Sequence, residues 1–346
     1  MTPPNLLCVR ADASTEMGTG HVMRCVALAQ EWQRTDGKVR FMMAPGQAKL
    51  EERLASEGFE VAHIDADPGS AADAAQTTQM TQGAAALVID GYHLGADFRA
   101  AIDTEHCATL VVDDCADNGP YESDLLLNQN VGANAELYTQ DAALPRMLLG
   151  KTYTLLRAEF LGTEREPRTG ELPRILVTLG GSDPHDIAGL VLRALEHCES
   201  PLGVTLVAGA SNPRAQDYRD GCLASRHAIE VVENVGSMAP LMARADVAIT
   251  AGGSTCWELS YLGVPSLVII GADNQIPIAE ALERAGGARN LGCRTQLTEE
   301  RIAGELNTLL SDPDLLARMS ASQAQLLDGR GSSRVVRALR EIQATR

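Results

Sequence analysis

A histidine set between glycines is the first place where this chain can do chemistry. The run is Arg10-Ala11-Asp12-Ala13-Ser14, followed by Gly18-Thr19-Gly20-His21-Val22-Met23-Arg24. Glycines let the backbone turn sharply and come close to a ligand. A helix that opens at His21 sets its positive dipole end beside the imidazole and disfavours the charged ring. A neutral imidazole can take a proton from water or a hydroxyl, which makes His21 a candidate general base. The other reading is a histidine that merely begins the helix and packs under the loop. The spacing is not Gly-x-Gly-x-x-Gly, so no dinucleotide fingerprint is read here.

A second loop, Thr250-Ala251-Gly252-Gly253-Ser254-Thr255-Cys256-Trp257-Glu258-Leu259, again runs apolar stretch, glycine pair, helix start. Gly252, Gly253, Ser254 and Thr255 can line an amide-rich anion site suited to a pyrophosphate, and Glu258 can accept hydrogen bonds from ribose hydroxyls. Thr255-x-x-Glu258 is equally a capping box, which needs no ligand. A third loop, Gly180-Gly181-Ser182-Asp183-Pro184, either faces a nucleotide through Gly181 or is a turn whose Asp and Pro open a helix. Asp90-Gly91-Tyr92-His93, Asp113-Asp114 and Asn128-Gln129-Asn130 close other apolar runs. Neighbours on an extended chain point to opposite faces, so at most one of Asp113 and Asp114 faces a ligand. Asn274-Gln275 supplies neutral hydrogen-bonding groups that suit a sugar.

The elements that must position these residues form two series. Leu6–Arg10, Val39–Met43, Glu60–Ile64, Leu87–Asp90, Thr109–Asp114 and Leu125–Asn128 read as strands, with helices over Val22–Arg34 and Ala48–Glu57 and the Ala71–Ala86 stretch as helix and loop. The last of these strands closes the first series. The polar, Pro/Gly-punctuated stretch 162–173 reads as a linker. The pattern then restarts with strands at Arg174–Leu179, Gly203–Ala208, Ile229–Val232, Asp246–Thr250 and Ser266–Ile270, a helix over Ile187–Glu196, and a helical tail from Thr298. Near-continuous apolar strands alternating with helices indicate parallel sheets covered on both faces, and ligands of such sheets bind outside the carboxyl ends of the strands. The expected architecture is α/β: two doubly wound Rossmann-like domains, 1–161 and 174–330, with an active site in the cleft between them (the GT-B fold). Residues 331–346 form a C-terminal helix that can cross back to the first domain.

Composition narrows the function classes. Over 346 residues, 45% hydrophobic and 22% charged is the balance of a folded protein of two ordinary domains. Asp and Glu outnumber Lys and Arg by 46 to 29, for a net charge of −17, which argues against nucleic acid as a partner. A phosphate-bearing ligand must then be held by local backbone dipoles or a few arginines against the overall field. The eight cysteines form no Cys-x-x-Cys pair, against zinc ribbons and thioredoxin-like sites. No signal peptide and no apolar run of membrane-spanning length is visible, so the expected setting is the cytoplasm, without membrane insertion.

Several of these motifs, taken together, resemble a known family. Arg10-x-Asp12, Gly18-x-Gly20-His21-x-x-Arg24, Asp90-x-Tyr92 and Asp113-Asp114 are similar, in order, to the UDP-2,4-diacetamido-2,4,6-trideoxy-β-L-altropyranose hydrolases of pseudaminic acid biosynthesis. So are Tyr153-x-Leu155-Leu156-Arg157-x-Glu159-Phe160, Gly180-Gly181-x-Asp183, Gly252-Gly253-Ser254 to Glu258, and Asn274-Gln275, which extends the resemblance over nearly the whole chain. It implies a GT-B enzyme related to the peptidoglycan N-acetylglucosaminyltransferases but using water as acceptor. It also implies cleavage of the anomeric C–O bond with inversion, needing neither metal nor cofactor. By position, His21 is the implied base, Tyr92 and Asn274 organise the sugar and the site, and the helix with Glu258 holds uridine and ribose. Arg10, Asp12, Gly18, Gly20, Arg24, Asp90, Asp114, Gly181, Gly252, Gly253, Ser254, Thr255 and Gln275 are the remaining candidate substrate contacts. Two departures are Gly91, where some relatives carry His, and the helical extension Ser332–Ala344. The expected partners are a UDP-sugar and water, with the chain a monomer or weak dimer.

Two other readings compete. One is a GT-B glycosyltransferase acting on a saccharide or lipid, though no Lys/Arg cluster marks the loops after the first two strands for anionic lipid. The other is a non-catalytic nucleotide-sugar binding protein, which needs neither His21 nor Asn274.

Overall fold

The structure is a computed structural model and describes residues 5–14, 17–139, 144–166, 170–181, 183–209, 212–233 and 235–346. Ser182 of the third loop and residues 167–169 of the polar stretch lie outside the described residues. The chain divides into two compact units, Met1–Ala158 with Gly329–Arg346, and Glu159–Asp328. The division falls ahead of the polar stretch 162–173. Arg165 fastens that stretch to the second unit by donating to the Ala245 and Gly263 carbonyls at 2.6 and 2.9 Å.

The first unit runs Leu6–Ala11 (β1), Gly20–Gln33 (α1), Lys38–Met43 (β2), Ala48–Ser56 (α2), Glu60–His63 (β3), Ala71–Met80 (α3), Ala86–Asp90 (β4), Ala96–Ala100 (α4), Ala108–Val112 (β5), Leu125–Asn128 (β6) and Arg146–Leu149 (β7). The second runs Arg174–Thr178 (β8), Ile187–Leu195 (α5), Gly203–Ala208 (β9), Ala215–Cys222 (α6), Ala228–Glu233 (β10), Ala239–Arg244 (α7), Val247–Ala251 (β11), Thr255–Tyr261 (α8), Ser266–Ile270 (β12), Ile276–Arg284 (α9), Ala288–Cys293 (β13), Glu299–Ser311 (α10) and Pro313–Ala324 (α11). Helix Gly331–Thr345 (α12) belongs to the first unit.

Both sheets are parallel throughout, in the orders β3-β2-β1-β4-β5-β6-β7 and β10-β9-β8-β11-β12-β13. The strand order reverses between β1 and β4 in one sheet and between β8 and β11 in the other. Neighbouring crossovers leave in opposite directions at such a point and open a crevice at the carboxyl ends of the strands. Apolar side chains pack on both faces of each sheet, which is why β4, β5, β6 and β12 are buried along their whole length.

Each sheet gains one edge strand that the apolar pattern does not announce. The first series does not close at Leu125–Asn128: Arg146–Leu149 pairs with it in parallel register. Four residues led by an exposed arginine are too short to show a period. In the second sheet Ala288–Cys293 is interrupted by Arg289, Asn290 and Gly292, and its register slips against Val268 and Ile269.

Helix α12 completes the first core. Val335, Val336, Ala338 and Leu339 are buried with Leu28 and Trp32 of α1, and the Arg340 guanidinium lies 3.5 Å above the Trp32 ring. A Cβ at Gly331 would run into the Thr154 carbonyl, so only glycine lets the helix start so close to that backbone.

Candidate active site

In the first unit the chemistry-bearing residues gather where β1 and β4 lie side by side, with Ala11 paired to Asp90. The loop after β1 turns at Gly18, whose φ of +74° is in the left-handed region, and its amide bonds to the Ser14 carbonyl at 2.8 Å. Gly20, by contrast, has open space where a Cβ would stand. Thr19 is the N-cap of α1, so Gly20 and His21 are its first two residues.

His21 is 6% exposed, and its Nδ1 lies 2.7 Å from Oδ1 of the fully buried Asp90. Arg24, one turn on, sets Nε 2.6 Å from Asp90 Oδ2 and Nη2 2.6 Å from Oδ1. Its Nη1 reaches both oxygens of Asp114 at 2.7 and 2.8 Å. A guanidinium only donates, so its Nη2 contact of 3.2 Å with His21 Nδ1 is crowding around one acceptor when that nitrogen carries its proton. Burial works to push the Asp90 carboxyl up, but Arg24 and then His21 outweigh it and hold Asp90 well below the usual carboxylate range. A permanent carboxylate on Nδ1 fixes the ring tautomer and leaves Nε2 with the lone pair that a base requires.

Tyr92 closes this group. Its hydroxyl donates to Asp114 Oδ2 at 2.9 Å, and its ring meets the His21 ring edge-on with centroids 4.7 Å apart. Asp113 and Asp114 serve different partners: Asp113 accepts from the Tyr138 hydroxyl at 2.7 Å and from the Ala116 amide at 2.8 Å. The buried Asn128 amide links Tyr138 at 2.9 Å to the Asp114 carbonyl at 3.3 Å, and Asn130 donates to the Asp114 side chain at 3.2 Å.

Arg10 and Asp12 form an adjoining network that is internal to the fold. Arg10 has no exposed surface; it grips Asp73 at 2.9 and 2.7 Å and Asp12 at 2.8 Å. Asp12 also takes the Ala44 amide at 2.6 Å and lies 2.7 Å from His93 Nε2. These contacts brace the loops after β1, β2 and β4. His93 was not singled out from the sequence, although it lies in the strand-end run Asp90-Gly91-Tyr92-His93. Gly91 makes room for it, because a Cβ there would lie 2.8 Å from His93 Cε1.

The second unit repeats the arrangement at the β8–β11 reversal with other groups. Gly252 packs so closely on Gln275 that a Cβ would sit 2.9 Å from Gln275 Cβ and 3.0 Å from its carbonyl oxygen. Gln275 Oε1 accepts from the Gly271 amide at 2.8 Å and the Gly252 amide at 3.3 Å, joining the loops after β11 and β12. Gln275 is therefore a loop tie. Asn274 precedes it in a single 3-10 turn, Asp273–Gln275, and is half-buried. Gly253, with nothing within reach of an added Cβ, leads into Ser254, the N-cap of α8, and Thr255, its first residue. Ser254 makes no side-chain cap bond to this helix. Glu258 sits half-buried on its first turn.

Gly180 and Gly181 follow β8, with Gly180 at φ +91°. The buried Asp183 carboxylate accepts from the Ile187 and Ala188 amides at 2.9 and 2.8 Å, filling the N-terminus of α5.

Residues 174–332 match the glycosyltransferase family 28 C-terminal domain. Across 262 residues the chain is 28% identical to the spore coat polysaccharide biosynthesis protein SpsG of Bacillus subtilis, covering 74% of this chain and 76% of that protein. It is 32% identical over 173 residues to the UDP-N-acetylglucosamine–N-acetylmuramyl-(pentapeptide) pyrophosphoryl-undecaprenol N-acetylglucosamine transferase of Sinorhizobium medicae, covering 46% of this chain and 44% of the transferase. Acinetobacter baumannii MurG superposes on 98% of this chain and 100% of its own with a TM-score of 0.68 at 17% identity, a likeness of fold. The fold is thus GT-B. Residues 174–332 are similar to the family 28 C-terminal domain, and no helix of the described residues is long and apolar enough to cross a membrane.

Proposed function

We propose that this protein is a UDP-sugar hydrolase. Water attacks the anomeric carbon of UDP-2,4-diacetamido-2,4,6-trideoxy-β-L-altropyranose, the anomeric C–O bond breaks with inversion, and UDP and the free sugar leave, as in pseudaminic acid biosynthesis. The observation that carries the reading is the His21–Asp90 pair. Nδ1 is committed to a permanent carboxylate, so Nε2 can accept the proton of the attacking water. General-base assistance of this kind contributes on the order of 10²–10⁴-fold. UDP is a good leaving group, and the protein's remaining task is to hold the diphosphate and exclude other acceptors.

Gly252, Gly253, Ser254 and Thr255 supply the diphosphate cradle, and Glu258 faces the ribose. Tyr92 and Asn274 order the sugar, with Arg24 and Asp114 behind Tyr92. The likeness to the UDP-N-acetylglucosamine-using transferase supports a UDP-linked amino sugar as substrate class. The second reading, transfer to a saccharide or lipid hydroxyl, is favoured by the family 28 match, since the same base serves either acceptor.

Incubation with UDP-sugars in water, without acceptor or added metal, separates the two. The hydrolase releases UDP over many turnovers and gives the inverted anomer by NMR. UDP release that appears only when an acceptor is added establishes transfer instead.

A further inference from the structure

The imidazole of His21 shares its carboxylate with a cation, and the consequence concerns the pH at which the ring can act. A carboxylate 2.7 Å from Nδ1 on its own favours the imidazolium. Arg24 opposes this at the same atoms. Its Nη2 is 2.6 Å from the oxygen that His21 uses and 3.2 Å from Nδ1 itself, and its Nε holds the other oxygen at 2.6 Å. Asp114, at 2.7 Å from Nη1, pulls the guanidinium's charge the other way. We propose that Arg24 is a positioning residue that sets the protonation of His21, and that Asp114 trims its effect.

This inference rests on His21 acting as the base, and it reassigns Arg24 and Asp114 from substrate contacts to charge-setting partners. Asp90, Asp114 and Arg24 together carry one net negative charge beside the ring. Replacing Arg24 by a neutral residue leaves two negative charges and favours the imidazolium. Neutralising Asp114 leaves none and disfavours it. Other titratable groups around the set are Cys25, whose Sγ lies 3.4 Å from Asp90 Oδ2, Tyr92, which edges the ring and donates to Asp114, and the chain neighbours of Asp114, Asp113 and Cys115, which interact with its charge. Asn130 is the neutral donor on Asp114, while Asp12 on the adjoining loop is paired with both His93 and Arg10.

Two single substitutions therefore move one titration in opposite directions, which a general loss of structure cannot do. The measurement is an NMR pH titration of the full chain labelled at histidine Cε1, with the His21 signal assigned by its loss in His21→Ala. Arg24→Gln is expected to shift the His21 signal's midpoint to higher pH, and Asp114→Asn to lower pH. Arg24→Lys, which keeps the charge, returns the midpoint toward the parent value. Shifts of the same sign in Arg24→Gln and Asp114→Asn, or no shift in either, overturn the proposal. Should Arg24→Gln not fold, the direction of the Asp114→Asn shift decides. The acidic limb of the pH profile for UDP release follows the same displacements when His21 is the base. Opposite NMR shifts in a protein that never releases UDP from a UDP-sugar support the charge coupling and sink the hydrolase reading instead.

Discussion

Replacing Asp90 by Asn keeps the shape of the site and removes the charge on which His21 and Arg24 converge. Two effects follow with separate magnitudes. The first is on stability. Asp90 is wholly buried, and removing one partner of a buried ion pair costs about 3–5 kcal/mol when the other charge is left alone. Arg24 is not left alone, because Asp114 still holds Nη1 at 2.7 and 2.8 Å, so the lower end of that range, about 3 kcal/mol, is the expected loss. For a unit of this size that corresponds to a fall in Tm of roughly 6–12 °C.

The second effect is on rate. An Asn side chain can offer Nδ1 either its oxygen or its NH₂ group, so the tautomer with a free Nε2 is no longer enforced, and kcat falls by about 10²–10⁴-fold. Circular dichroism melts and a coupled assay for UDP release, run well below the variant's Tm, read the two separately. His21→Ala should lose a similar factor, and the double variant little more, because the pair acts as one unit. A folded Asp90→Asn protein with kcat within tenfold of the parent would refute the assignment of His21 as a base oriented by Asp90.

Acid stability and the second loop give further tests. Asp12 and Asp90 both sit below the usual carboxylate range in the folded chain: burial is outweighed by His93 and Arg10 at Asp12, and by Arg24 and His21 at Asp90. A carboxyl depressed by folding contributes stability above its unfolded pKa near 3.9 and loses it as pH falls through the folded value. Urea midpoints should accordingly drop steeply below about pH 4 in the parent and less steeply in Asp12→Asn. Gly252→Ala drives a Cβ to 2.9 Å from Gln275 Cβ and 3.0 Å from its carbonyl oxygen, so the two loops must separate. The expected result is a loss of about 1–3 kcal/mol in stability and weaker UDP binding, measured by melting and by titration calorimetry.

The sequence carried most of the sheet framework because each central strand is a run of Leu, Val and Ile with buried neighbours on both faces. It did not carry Arg146–Leu149 or Ala288–Cys293, since an edge strand needs little apolar surface and these have almost no period. Within the site, His21 was legible from its glycines and its place at a helix start, and Asp90 from its place at a strand end. That the two touch was not legible: they are 69 residues apart, and only the pairing of β1 with β4 brings them together. Arg10 and Arg24 look alike in a motif, each three or fewer residues from a key side chain. Their partners separate them, since Arg10 is sealed among Asp73, Asp12 and the Met42 carbonyl, while Arg24 lies against His21 itself. His93 was missed because Gly91, which admits its ring, looked like a gap in the motif.

The place of α12 has a consequence for how the chain is made. Val335, Val336, Ala338 and Leu339 are part of the first unit's core, yet the ribosome reaches them only after the whole of Glu159–Asp328. At ordinary elongation rates the wait is on the order of ten to thirty seconds. During it the second unit has all its strands and can close, while Leu28 and Trp32 of the first still lack their cover. The half of the molecule that begins first is thus finished last, and its unsealed face is where a chaperone would be expected to bind the nascent chain.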